Sequence, residues 1–74
     1  MRFKTLDVRP VLARGDEPFP LIRAGVDALR HGRGLSVVAP FMPAPLVEVL
    51  RSEGMSTAIE RRADGGWEVS IWRE

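Results

Sequence analysis

A proline-rich corner at residues 39–45 restricts the fold more than any other stretch of the chain. Its three prolines fix φ and lack a backbone N–H, so neither a helix nor a central strand continues through them. The run before the corner, residues 34–39, is mostly apolar and β-branched, which is typical of a buried strand. Apolar side chains at helical spacing follow in residues 45–53, and Pro45 suits a first helical turn. The sequence therefore predicts a central strand, a stiff bend and a short helix, in this order.

Two prolines also begin the helix that precedes this strand. Pro18 and Pro20 suit a first turn, where backbone donors have no partner within the helix. A carboxylate is favoured at the same place, so we expect Glu17 to cap the helix. Basic residues 30 and 31 are expected in the last turn, with Gly32 just beyond it. The apolar stripe consists of Leu21, Ile22, Gly25, Val26 and Leu29.

The N-terminal residues alternate apolar and polar side chains, as a half-buried strand does. This pattern covers residues 3–8, and Pro10 is expected to end the strand. Residues 11–16, which include Arg14 and Gly15, are predicted to form a loop.

The C-terminal residues predict a hairpin. Residues 55–60 and 67–72 alternate, and the Ala-Asp-Gly-Gly segment at 63–66 is a strong turn signal. The predicted architecture is an α+β two-layer sandwich of order β-α-β-α-β-β, a single domain over residues 1–74. Two helices are expected to cover one face of a four-stranded mixed sheet, leaving the other face open.

Composition excludes several classes of function. The chain has no Cys, so it forms no disulfide and offers no thiolate to a metal. Its one His and its net charge of +1 favour neither a metal site nor a strongly basic nucleic-acid surface. No apolar run approaches the ~20 residues that span a bilayer. We expect a cytoplasmic protein without cofactor or metal.

The open face of the sheet is one candidate interaction surface. Strict alternation places Trp72 there if Trp67 faces the helices, and Phe3 and Val38 join it if the strand register is as expected. An aromatic and aliphatic patch on an uncovered sheet is typical of an interface. We expect an unknown protein partner or a homodimer at this face. The alternative is that Trp72 only covers its neighbours on the hairpin.

A second candidate site lies between the two helix N-termini. Arg14, Glu17, Pro18, Phe41 and Met42 are the tentative ligand-binding residues. Helix N-termini attract anions, which suggests a small anionic ligand, with Arg9 or Arg14 as counter-charge.

The aromatic and sulfur-containing pair in this group has two possible environments. We expect Phe41 and Met42 to pack inward, with an exposed apolar knob as the alternative. Glu17 has only Asp16 nearby as an acid/base partner, so we expect no catalytic residue.

The surface arginines give an alternative function, an RNA-binding module. They are Arg14, Arg30, Arg33, Arg61 and Arg62. Acidic residues lie close to the hairpin pair in sequence, so solvated surface charge is the simpler interpretation and nucleic acid the less favoured partner.

Three segments, residues 6–10, 15–20 and 39–46, resemble bacterial DUF2249 proteins. That family of unknown function is similar in architecture to the TusA/SirA sulfur carriers, whose Cys-Pro-x-Pro motif bears a persulfide. Here Glu17 stands at the Cys position, so the resemblance implies the carrier fold without persulfide chemistry. Some relatives have a His-Asp-Pro sequence at the corner, which Phe41 and Met42 replace. The resemblance implies a non-catalytic interaction or ligand-binding module, with a link to sulfur or redox metabolism.

Overall fold

The computed structural model describes residues 2–73. Its elements are β1 (Arg2–Asp7), α1 (Arg9–Ala13), α2 (Phe19–Asp27), β2 (Arg33–Ala39), α3 (Ala44–Ser52), β3 (Ser56–Arg61) and β4 (Trp67–Trp72). No helix within these residues is long and apolar enough to span a bilayer.

The strands form one mixed sheet in the order β1-β2-β4-β3. β1 runs parallel to β2, and β4 is antiparallel to both of its neighbours. The four-stranded mixed sheet, the hairpin and the open face are therefore as predicted.

The segment predicted as a loop after β1 contains a short helix. Pro10 occupies an early position of α1, where its missing N–H breaks no helical bond. The N–H of Leu12 donates to the carbonyl of Val8 at 3.0 Å, and Val11 is buried. The prediction of a loop over residues 11–16 was wrong for residues 11–13, because a helix of five residues is too short to show helical periodicity in the sequence.

The core lies between the sheet and the two longer helices. α2 contributes Ile22 and Val26, and α3 contributes Val47 and Leu50. The cluster also includes Val8, Leu35, Val37, Ala39, Met55, Val69 and Ile71. A Cβ at Gly25 would lie 3.0 Å from Leu35 Cδ2, so the missing side chain allows α2 to approach the sheet closely. Val8 and Ile22 bring this core to the carboxyl end of β1 and the first turns of α2, where the candidate site lies.

α2 ends one turn earlier than predicted. The N–H of Ala28 donates to Ala24 and that of Leu29 to Val26, which closes the helix with a tightened turn. His31 is exposed and lies outside the helix. Gly32, with φ of +81°, instead belongs to the turn that leads into β2, where a positive φ favours glycine.

Candidate functional site

A cavity of about 200 Å³ lies at the carboxyl ends of the parallel strands β1 and β2. This position is where open α/β sheets commonly bind ligands. The lining comes from both strand ends, from α1 and from the starts of α2 and α3, and every lining side chain except Glu17 is apolar. Those residues are Val8, Leu12, Pro18, Phe19, Ile22, Val37, Ala39, Phe41, Pro43, Pro45 and Leu46. The site therefore suits an apolar group.

Glu17 caps α2, as predicted. Its Oε1 accepts the N–H of Phe19 at 3.2 Å. Pro18 and Pro20 have no N–H, and the N–H of Leu21 donates to the carbonyl of Pro18 at 3.1 Å. The first turn of α2 thus has no free N–H for an anion.

Three of the five predicted ligand-binding residues line this cavity: Glu17, Pro18 and Phe41. Arg14 does not, since its Nε lies 3.2 Å from Asp16 on an exposed loop. Met42 also lies outside the lining. No basic side chain therefore stands in the cavity wall.

Phe41 and Met42 are not core residues. Their exposed fractions are 55% and 39%, so the expectation that they pack inward was wrong. The N–H of Ala44 donates to the carbonyl of Met42 at 3.0 Å, in a tight bend before α3. Pro43 is buried at this bend, and the two side chains before it remain at the surface. They form an exposed apolar knob, which was the alternative to inward packing.

The open face of the sheet presents an aromatic pair at one end. Phe3 and Trp72 both pair with Gly34 across the central strand, and their ring centroids lie 6.1 Å apart at an interplanar angle of 78°. This edge-to-face geometry is a favourable aromatic arrangement. Phe3 remains 43% exposed.

An ion-pair network occupies the opposite end of the open face. Arg9 pairs with Asp7 at 2.8 Å and with Asp64 at 2.9 Å, and Arg62 pairs with Asp64 and with Glu68. The network therefore joins the end of β1 to the hairpin turn and to β4.

Hydrogen bonds in this network lower the pKa of both aspartates. The Gly66 N–H, followed by the Arg9 guanidinium, lowers the pKa of Asp64 well below its usual range. The Arg9 guanidinium also lowers the pKa of Asp7. Both carboxylates are thus held in the ionised form by donors that fold with them.

Val38 lies on the open face but contributes no free surface there. It pairs in register with Asp7 on one side and with Glu68 on the other, and it is only 1% exposed. We attribute this burial to the long side chains of Arg9 and Arg62, which hold the flanking carboxylates. Its assignment to an accessible patch was therefore wrong, whereas Phe3 and Trp72 do lie together.

The arginines of the RNA-binding alternative do not form one patch. Arg62 and Arg14 are paired with carboxylates, and Arg61 stacks 5.6 Å from the centroid of Trp67. Arg30 and Arg33 lie at the opposite end of the sheet and, within residues 2–73, make no ion pair with a carboxylate.

Sequence reasoning missed part of the cavity. Phe19, between the two prolines, and Leu46, in the first turn of α3, give no signal beyond being apolar at a helix start. The bond between Arg9 and Asp64 joins residues 55 positions apart, and no local pattern indicates such a contact. Within the described residues, no group of three or more His, Asp or Glu side chains is arranged to hold a metal ion.

Comparison with protein families gives a match over most of the chain. The family model described as "Uncharacterized conserved protein (DUF2249)" matches residues 5–73, which include six of the seven elements in full and the last part of β1. No curated protein and no solved structure matches the chain. The match confirms the resemblance to DUF2249 proteins that residues 6–10, 15–20 and 39–46 indicate. The chain therefore belongs to the DUF2249 family.

Proposed function

We propose that this protein is a non-catalytic binding module whose cavity at the ends of β1 and β2 takes an apolar group. The observation that carries the proposal is the cavity wall, apolar throughout except for one carboxylate. Phe41, exposed at the same wall, would cover a bound group by packing on it.

Glu17 indicates which polar group the ligand should carry. Its carboxylate stands in the wall, and within residues 2–73 it pairs with no Lys or Arg. The first turn of α2 has no free N–H, so the attraction of a helix N-terminus for anions is used internally by Glu17. An amine or another hydrogen-bond donor therefore suits the site better than the anionic ligand expected from the sequence.

The likeness to the TusA/SirA carriers supports a binding role without a carried sulfur. The chain has no Cys, and the carboxylate of Glu17 occupies the place of the motif's nucleophile. A link to sulfur or redox metabolism rests on this likeness alone. The cytoplasmic location also remains a prediction.

Three small molecules with six carbon atoms each test the proposal: hexylamine, hexanol and hexanoate. Each is titrated into labelled protein while NMR follows the methyl groups of Val8, Leu12 and Ile22. We expect the amine to bind best and the carboxylate worst. Binding led by hexanoate would restore the anionic alternative, and no methyl shift with any probe would refute the proposal.

Matched variants locate the binding. Glu17→Gln should weaken hexylamine binding by about twofold to fivefold, the worth of an exposed charge pair. Glu48→Gln, an exposed carboxylate on α3, should not change it. Leu46→Trp should fill the cavity and abolish binding of all three probes, whereas Val49→Trp on the exposed side of the same helix should not.

RNA binding is tested by the same protein in a gel-shift assay. Complexes with mixed RNA that weaken steeply with salt would favour it, because phosphate contacts release counterions. No shift at low salt would exclude the alternative.

A further inference from the structure

β1 is an edge strand whose outer side is unpaired. It lies at one end of the sheet order and pairs with β2 alone. The N–H of Arg2 donates to the Gly32 carbonyl at 3.2 Å and that of Val8 to the Val38 carbonyl at 3.0 Å. Even-numbered residues of β1 thus direct their backbone groups toward β2.

The odd-numbered residues direct theirs outward. By alternation, Phe3 and Thr5 present their N–H and carbonyl groups to the outer edge. Within residues 2–73, no backbone bond satisfies them on that side, and both residues are exposed. Four main-chain groups at strand spacing are therefore available to another extended chain.

The helix-covered side of this edge is basic at one end. Lys4 lines a groove on that side, and alternation places Arg2 beside it. Arg2 also pairs in register with Arg33 of β2. Within the described residues, none of the three forms an ion pair with a carboxylate, so this end attracts acidic side chains.

Apart from Lys4, the residues that line this groove are apolar. It has a volume of about 390 Å³ and runs between β1 and α2, where Leu6 and Leu29 are half-buried and Leu21 is exposed. An added strand at the edge of β1 would direct every second side chain toward this groove. One apolar side chain fits near Leu6, and acidic ones fit near Lys4 and Arg2.

We propose that the edge of β1 binds an extended peptide segment of a partner protein, adding a fifth strand to the sheet. The segment carries acidic side chains and an apolar side chain on the face turned toward α2. A second copy of β1 is a poor occupant because it would bring Arg2 and Lys4 against the same basic rim. This site is independent of the cavity at Glu17.

Two synthetic peptides of one composition test this proposal. In both peptides, threonine occupies every second position. The positions between the threonines carry Glu, Glu and Leu, in this order, in one peptide and Leu, Glu and Glu in the other. We expect one of the two to bind, which also fixes the strand direction. A third peptide with lysine in place of glutamate should not bind.

Hydrogen exchange identifies the binding surface. The bound peptide should slow exchange of the amide protons of Phe3 and Thr5, whose N–H groups point outward. Binding that leaves these two amides unprotected, or no binding by either acidic peptide, overturns the proposal. Protection of both amides that grows with protein concentration in the absence of peptide, and that persists in Trp72→Ala, would identify a second copy as the occupant of this edge instead.

Variants at the same strand separate backbone pairing from charge attraction. Thr5→Pro removes an outward N–H and breaks no bond to β2, so it should weaken peptide binding at least about tenfold. Thr5→Val keeps the N–H and should bind within about twofold of the wild type. Lys4→Glu should reverse the preference toward the lysine peptide. Equal binding by all three variants would show that the edge is not used.

Discussion

The ring of Phe3 covers Gly34 and meets the indole of Trp72 edge-on, with 6.1 Å between the ring centroids. A Cβ placed on Gly34 would lie 2.3 Å from Cε2 of the Phe3 ring, so the contact depends on the missing side chain. Three strands are thereby joined at one end of the open face.

This relationship predicts that Gly34→Ala will displace the Phe3 ring. We expect a loss of about 1 kcal/mol in the free energy of unfolding, the usual worth of an aromatic pair. In a Phe3→Ala background the same change should cost less, because the ring it displaces is gone. A double-mutant cycle by urea unfolding measures this coupling, and strictly additive effects would contradict it.

The aromatic pair, with Phe3 exposed and Trp72 half-buried, also predicts self-association. We expect light scattering to give twice the monomer mass of 8.2 kDa, because a two-fold dimer is the commonest way to cover such a patch. Trp72→Ala should give a monomer that circular dichroism shows to be folded. A wild-type monomer would leave the open face to a different partner.

The ion-pair network predicts a loss of stability in acid. Asp7 and Asp64 have folded-state pKa values below their usual 3.8. A lowered folded pKa gives stability that is present above the unfolded pKa and is lost as the pH falls through the folded one. The free energy of unfolding should therefore be nearly constant above about pH 5 and fall below about pH 4.

Asp64→Asn should flatten this acid dependence. Its amide oxygen can still accept the Gly66 N–H, but it no longer attracts Arg9 and Arg62 as a charge. Asp16→Asn removes an exposed pair with Arg14 and serves as the control. An equal change in the two pH profiles would argue against a special role for the network.

Two valines on α3 test the assignment of its buried side. Val47→Ala should cost about 2 kcal/mol, because it removes buried methyl groups and leaves a cavity. Val49 is exposed, and Val49→Ala should change the free energy of unfolding by less than about 0.5 kcal/mol. Comparable losses for both would contradict the burial of Val47 and the exposure of Val49.

The sequence predicted the parts of the fold that local chemistry determines. The β-branched run at 34–39 and the glycine turn at 63–66 specify their elements within a few residues, so β2 and the hairpin were predicted closely. The prolines correctly indicated where α2 and α3 begin. The end of α2 was misjudged, because the basic residues 30–31 are typical of a helix end but lie in the following turn.

The candidate site was predicted in position and only partly in composition. Glu17 and Phe41 were identified because strand ends and helix starts meet there. The exposure of Phe41 and the burial of Val38 depend on tertiary contacts, and hydrophobicity alone cannot distinguish them. Arg9 forms an ion pair with Asp64, which lies 55 positions further along the chain, so this pairing requires the folded sheet.

The position of β4 between β2 and β3 has a consequence for how the protein is made. The strand that holds the two halves of the sheet together is the last of the four to leave the ribosome. Until residue 72 has emerged, β3 has no strand to pair with. The backbone of β2 is also unpaired on the side that β4 will occupy. Nascent chains halted before β4 should therefore be open to proteases and chaperones, and the domain should fold only once that strand is available.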